Sequence, residues 1–286
     1  MSTSPPAASV WRRHWQAALF LLPMLVVLAL FCLAPLWWVA VHSLYGEDGW
    51  VGLDHYREIL SSAFYLQAFS NSLSISLWSS ILGLLLSLVA AASLRRVPGR
   101  FRDLVVAFVN MTSNLTGVPL AFAFIIIVGA NGALTLLLRQ AGLLQDFYLY
   151  SSSGLILLYT YFQIPLGVLL LYPAFDALDD DWQDAAALLG ARLWQYWLRV
   201  ALPVLTPAIL GTFILLFANA MGAYTSAYAL TTGNYNLVTI RIGSLVAGNV
   251  FLDPNMAAAL SVLLVLLMVL VTAVNQWLLK RSYHAR

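Results

Sequence analysis

Six long apolar runs divide this chain, near residues 17–41, 71–94, 104–129, 154–173, 205–230 and 256–279. A helix needs about 20 predominantly apolar residues to cross the hydrocarbon core of a bilayer, and each run reaches that length. Backbone N–H and C=O groups in hydrocarbon must pair within their own segment, so helices are the form such runs take. Apolar residues make up 62% of the sequence and charged residues 9%, against roughly 45–50% and 25% in soluble domains. No water-soluble core hides that much apolar surface. The sequence predicts an all-α integral membrane protein of six transmembrane helices spanning 17–279, flanked by tails at 1–16 and 280–286. Residues 1–9 (MSTSPPAAS) read as a disordered tail.

The first run follows Arg12 and Arg13, the arrangement of a signal peptide. Its apolar stretch exceeds the usual core of about 7–15 residues, and no small-residue cleavage site follows it. It reads as a retained span. Cys32 is the single cysteine and lies inside that run, so no intramolecular disulfide and no cysteine-rich metal site are expected.

Basic residues set the orientation. Arg12 and Arg13 precede the first span; Arg95, Arg96, Arg100 and Arg102 fill the loop between the second and third. Arg192 and Arg199 lie between the fourth and fifth, and Lys280, Arg281 and Arg286 follow the sixth. With six spans these segments share one side, and only Arg57, Arg139 and Arg241 fall on the other. An excess of Lys and Arg marks the cytoplasmic side. Both termini and the loop 174–204 are therefore expected inside, in a bacterial inner membrane. Trp11 and Trp15 at one end of the first span, and Trp37 and Trp38 at the other, suit interfacial anchors. On the outer side, 130–153 carries a candidate interfacial helix (GALTLLLRQAGLL). Segment 231–255 opens on a turn signal (TTGNYN) and continues as a run too short to span, expected to form a lid or short helix.

The loop 174–204 holds the most specific pattern. Asp176, Asp179, Asp180, Asp181 and Asp184 crowd its first third, where acids suit the unpaired N–H groups and positive end of a helix N-terminus. The run WQDAAALLG is composed of helix formers and ends at Gly190, a common helix stop. A second helical run, ARLWQYWLRVAL, leads to Pro203, with Leu193, Trp194, Trp197 and Leu198 on one face. Two short helices joined at a glycine are expected to protrude from the membrane. Taken alone, such a loop is an ordinary solvated turn. The full register is harder to meet by coincidence: Asp184, Ala185, Ala186, Gly190, Val200, Leu202 and Pro203 occupy the spacing E-A-A-x3-G-x9-I-x-L-P.

That spacing resembles the coupling loop of the permease subunits of type I ABC importers, and most closely their spermidine/putrescine-like branch. The resemblance covers most of the chain: six spans, short loops, and the motif between spans four and five. It implies a cytoplasmic coupling helix between helices 4 and 5 that docks on an ATP-binding subunit dimer. Ala185 and Ala186 would be small docking residues, Asp184 would face a basic group, and Gly190 would turn the chain. The acid is Asp where Glu is usual, and Val200 stands where Ile is usual. The resemblance further implies a second, different permease subunit, a periplasmic or extracellular substrate-binding protein, and alternating access driven by ATP. The sequence contains no G-x4-G-K-[ST] phosphate loop, so a non-catalytic transport subunit without cofactor is expected, with hydrolysis elsewhere.

Polar residues inside the spans form two clusters. One is Asn110, Thr112, Ser113, Asn114 and Thr116, followed by Gly117 and Pro119. The other is Asn219, Tyr224, Thr225, Ser226 and Tyr228, with Gly211 and Gly222. Polar groups in hydrocarbon pair with neighbouring helices or face a watered cavity. For Asn114, Asn219, Tyr224 and Tyr228 both roles stand open, interhelical bonding or lining of a translocation path for a small polar solute. The serines of the second span (Ser72, Ser74, Ser76, Ser79, Ser80) suit packing better. Polyamine-like and phosphonate-like cargo fit the resemblance comparably, although no acid lies deep in a span to balance a polycation.

Other classes fit less well. An ion-coupled secondary carrier usually needs ionisable residues at membrane depth. A membrane enzyme lacks its signatures here: His14, His42, His55 and His284 lie outside the spans, and neither an H-E-x-x-H pair nor a G-x-S-x-G elbow occurs. No nucleic-acid partner is expected.

Overall fold

The computed structural model describes residues 21–46, 49–97, 99–142, 148–248 and 252–284, with the backbone alone for Asp180 and 278–284. The two expected tails lie wholly or largely outside the described residues, as do Trp11, Trp15, Glu47 and Asp48.

Among the described residues the architecture is nearly all-helical, with six helices long and apolar enough to cross a membrane. The first, α1 (Leu21–His42), has no buried residue and packs on the last helix. A hairpin of two short strands, β1 (Tyr45–Gly46) and β2 (Gly49–Trp50), follows, a small addition to an otherwise helical fold. Helix α2 (Asp54–Ser61) lies beside it, and α3 (Ala63–Arg95) is the second crossing. The third apolar run forms two pieces, α4 (Gly99–Ser113) and α5 (Val118–Val128), and the third helical segment long enough to cross, Val118–Gln140, opens with α5. Helix α6 (Ala133–Gln140) is the short helix expected in 130–153, and α7 (Ser152–Leu171) is the fourth crossing. Helix α8 (Asp180–Leu188) stands on the loop before α9 (Leu193–Met221), the fifth. Then come α10 (Thr225–Thr231), α11 (Val238–Ala247) and α12 (Pro254–His284).

Several boundaries differ from the expectation. The second span starts at Ala63 rather than near 71. The third and fifth runs, expected as single helices over 104–129 and 205–230, are each interrupted. The segment after Gly190 does not form a separate short helix ending at Pro203, because it is continuous with the fifth span. A π-helical turn, Trp197–Ala201, carries the helix past Pro203: the Leu202 N–H reaches back to Trp197 O. The same device precedes Pro35, where the Ala34 N–H bonds Ala29 O. Proline lacks a donor and its ring crowds the carbonyl four residues earlier. A turn one residue wider relieves that crowding, and the helix continues.

The most extensive interface joins α3 to α7. It is built on small residues, the means by which helices approach closely in lipid. Ser87 Oγ donates to Ile164 O at 2.9 Å, and Gln163 Nε2 donates to Ser79 Oγ at 3.0 Å. A Cβ on Gly167 would meet Ser87 Oγ at 2.3 Å and its Cβ at 2.8 Å, and one on Gly83 would meet Gln163 Cβ at 2.9 Å. Of the predicted α3 serines, Ser79 and Ser72 bond within the chain, Ser72 Oγ accepting from Val238 N–H at 3.0 Å, whereas Ser80 Oγ is buried without a partner.

Two contacts fix the ends of the bundle. At one end, Arg95 Nη2 donates to Leu178 O, tying the loop after α3 to the loop after α7. At the other, Asn71 Nδ2 donates to Asn236 O and Asn236 Nδ2 to Phe64 O, pinning the segment before α11 on α3. Arg241 lies over the Phe64 ring, 5.1 Å from its centroid. Burial pulls its guanidinium below its ordinary pKa, with the Tyr65 hydroxyl working against that shift.

Gly167→Ala should destabilise the detergent-solubilised protein by about 1–3 kcal/mol through overpacking against Ser87. Gly211→Ala, where a Cβ meets nothing within 4 Å, should be neutral or stabilising by roughly 0.5–1 kcal/mol. Thermal unfolding followed by size-exclusion chromatography separates the two, and equal effects would contradict the close approach.

Candidate translocation and coupling sites

The two interrupted crossings meet. Helix α4 ends at Ser113, and its last polar residues bond back onto its own carbonyls. Thr112 Oγ1 donates to Phe108 O and Val109 O at 3.0 Å, Ser113 Oγ to Asn110 O at 2.8 Å, and Asn114 Nδ2 to Asn110 O at 2.9 Å. Gly117 then adopts φ +74° and ψ −143°, a conformation that residues with a Cβ resist, and α5 starts with Pro119 in its first turn. Helix α9 stops at Met221, and the chain restarts as α10 at Thr225.

The freed backbone groups find partners across the gap. The Gly117 N–H donates to Ser226 Oγ at 2.9 Å, and the Tyr159 hydroxyl donates to Ala223 O at 2.7 Å. Between the breaks lies a cavity of about 340 Å³, whose lining includes Thr116, Gly117, Asn219, Tyr224 and Thr225. None of its lining residues is an acid or a base. Tyr224 packs on Tyr228 with ring centroids 5.3 Å apart, and a Cβ on Gly243 would meet Tyr224 Cε2 at 2.8 Å. A second cavity of about 400 Å³ lies between Tyr148, Tyr150 and the segment around Thr231–Tyr235.

Of the four candidate path residues, Asn219 and Tyr224 line the first cavity together. Tyr228 flanks Tyr224 without being part of the lining, and Asn114 is exposed in the α4–α5 break, engaged with its own helix. Sequence reasoning recognised the polar clusters and the glycines but not that the helices stop there. The signal was present in Gly117 followed by Pro119.

The second site is the loop between α7 and α9. Asp179 caps α8, its Oδ1 accepting from Asp181 N–H at 3.1 Å. The helix ends in a Schellman arrangement: Ala191 N–H bonds Ala186 O, Gly190 N–H bonds Ala187 O, and Gly190 takes φ +78°. Asp184 and Ala185 are exposed. Ala186 and Val200 instead pack inward on a cluster that includes Phe175, Tyr196 and Leu205. Leu202 and Pro203 are half-buried in α9. The sequence reading passed over Leu188 and Leu189, which are 90% and 88% exposed. An apolar pair directly before a helix-stopping glycine, on a polar loop, was the available clue.

Interrupted crossings around a polar cavity, with an exposed helix on an end loop, define a membrane permease. The chain belongs to the family described as binding-protein-dependent transport system inner membrane component, the permeases of type I ABC importers, whose model matches residues 83–282. It is 30% identical over 191 residues to the molybdenum transport system permease protein ModB of Mycobacterium tuberculosis, covering 67% of this chain and 69% of that protein. It is 26% identical over 232 residues to the spermidine/putrescine transport system permease protein PotB of Haemophilus influenzae, covering 80% and 81%. The expected spermidine/putrescine branch is therefore not singled out. A chain of a bacterial ABC transporter involved in import of the acidic polysaccharide alginate shares the fold. Its TM-score is 0.75 at 17% identity, covering 96% of this chain and 99% of that one.

Gly243→Val should displace Tyr224 from the cavity wall at a cost of about 1–3 kcal/mol. The expected outcome is slower solute uptake by an otherwise normally assembled transporter. Unchanged uptake would remove Tyr224 from the path.

Proposed function

We propose that this chain forms half of the translocation pathway of an ATP-driven importer, in a bacterial inner membrane with both termini cytoplasmic. A second, different permease supplies the other half, an ATP-binding subunit dimer docks on the loop 174–204, and a binding protein delivers solute at the opposite end. The observation that carries this reading is α8: a capped, exposed helix ending in a glycine turn, with the coupling-loop spacing, at the end of the bundle that holds Arg95, Arg96, Arg100 and Arg102.

On this reading Asp184 and Ala185 face the ATPase, with Leu188 and Leu189 as apolar anchors. Ala186 and Val200 hold α8 to the fifth span, Leu202 and Pro203 open the helix that continues from it, and Gly190 sets the angle between α8 and that span. Asn219 and Tyr224, with Tyr228 and Asn114 nearby, line the path. The solute is small and polar. The lining carries no charged side chain, so a phosphonate-like cargo requires bases, and a polyamine-like one acids, from the partner permease.

The test is affinity purification of the tagged chain from native membranes, followed by mass spectrometry. Wild type should retain an ATP-binding subunit. Gly190→Trp, whose Cβ meets open space although its φ of +78° strains the local turn, should insert normally and lose it. Asp184→Lys should weaken ATP-driven uptake more than Asp184→Glu. Retention by Gly190→Trp, or equal uptake by both Asp184 variants, would overturn the docking role.

A further inference from the structure

Helices α3, α4 and α7 enclose a groove of about 420 Å³ that belongs to neither site above. Its walls are apolar, with Ala90 and Leu94 from α3, Val97 just beyond its end, Val105 and Val109 from α4, and Val168 from α7. Two hydroxyls in the wall are already engaged with their own helices: Ser93 Oγ donates to Val89 O at 2.8 Å, and Thr112 Oγ1 donates to Phe108 O. Beyond the Tyr161 hydroxyl, the side chains offer a polar solute nothing to bond. A hydrocarbon chain loses nothing there, and an empty wall in lipid forfeits its dispersion contacts.

One end of this groove is strongly basic. Val97 lines it directly beside Arg96, and Arg100 opens α4. Arg102 precedes Val105 and Val109 by three and seven residues, so it continues their stripe on the helix. Arg96 and Arg100 are exposed. The one acid in the segment, Asp103, lies 3.8 Å from Arg102 Nε, in an exposed pair that leaves the mouth positive. Basic pockets between membrane helices at the bilayer edge take anionic headgroups.

We propose that this groove is a binding site for an anionic phospholipid, with an acyl chain against the apolar walls and the phosphate among Arg96, Arg100 and Arg102. Dry walls and a cationic mouth at one end match the two halves of such a lipid. Arg95 takes no part, being bonded to Leu178 O. The inference is independent of which solute the permease carries.

Native mass spectrometry of the full chain, purified in detergent with its co-purifying subunits, tests this with phosphatidylglycerol and phosphatidylcholine as probes. Wild type should retain phosphatidylglycerol roughly a hundredfold better, given the usual contribution of each of three basic residues near anionic lipid. The triple variant R96Q/R100Q/R102Q should lose that preference, and R96K/R100K/R102K should keep most of it. Val109→Trp should lower retention of both lipids by filling the groove, with Ala90→Leu as the milder alternative if the first elutes as aggregate. Equal retention of both lipids by wild type, or an unchanged preference in the glutamine variant, would overturn the proposal. So would disulfide cross-linking of Val109→Cys to a co-purified permease subunit, which would make the occupant a protein.

Discussion

A backbone N–H left unpaired in hydrocarbon costs several kcal/mol, and this requirement governs the centre of the molecule. Stopping two crossings part-way frees groups at four helix ends. The chain answers with side chains rather than with uninterrupted helix: Ser226 takes the Gly117 N–H, Tyr159 covers Ala223 O, and Asn114 returns to Asn110 O. The polar cavity follows from that pairing. Thr116, Asn219 and Thr225 line it beside the two breaks. Each break also depends on the other, since the donor at Gly117 and the acceptor at Ser226 lie on different crossings.

Breaks of this kind need a rigid frame, and the α3–α7 interface supplies it. Glycine at 83 and 167 lets the two helices approach until Gln163 and Ser87 bond across the gap. Tyr159, which covers the carbonyl in the fifth-crossing break, lies one turn from Gln163 on the same helix. The frame that packs through small residues thus also positions the hydroxyl that completes the site. At the far end, the Asn71 and Asn236 contacts hold α11 close enough for Gly243 to support Tyr224.

Composition and hydropathy made the six crossings legible, because the cost of burying polar backbone leaves few alternatives. Their limits were less legible. Gln67 and Asn71 interrupt the apolar run before the second crossing, yet both are compatible with helix, and Asn71 has a tertiary partner in Asn236 O that no local pattern reveals. Averaged hydropathy also passes smoothly over Asn114–Gly117, where the backbone turns. Pro203 reads as a stop by local rules, but a π-helical turn absorbs it. At the loop, the caps and the glycine turn were readable from Asp179 and Gly190, since helix ends obey short-range chemistry. The split between an outward Ala185 and an inward Ala186 was not, because it depends on Tyr196 and Phe175 packing beneath the helix.

The route from the loop to the cavity is short in mechanical terms. Helix α9 runs unbroken for 29 residues from Leu193 to Met221, about 43 Å at the usual rise. One end is tied to α8 through the glycine turn and through the cluster that Ala186 and Val200 share. The other end contributes Ala218 and Asn219 to the cavity, directly before the break at Gly222. The break matters here as much as the rod. Were the fifth crossing continuous into α10, tilting α9 would carry the whole outer end with it. With the helix stopped at Met221 and α10 held against α5 through Ser226, a tilt of α9 would be taken up at the cavity. Contiguous packing with a hinge at one end is the physical form that coupling between distant sites takes, and both parts are present in this one crossing.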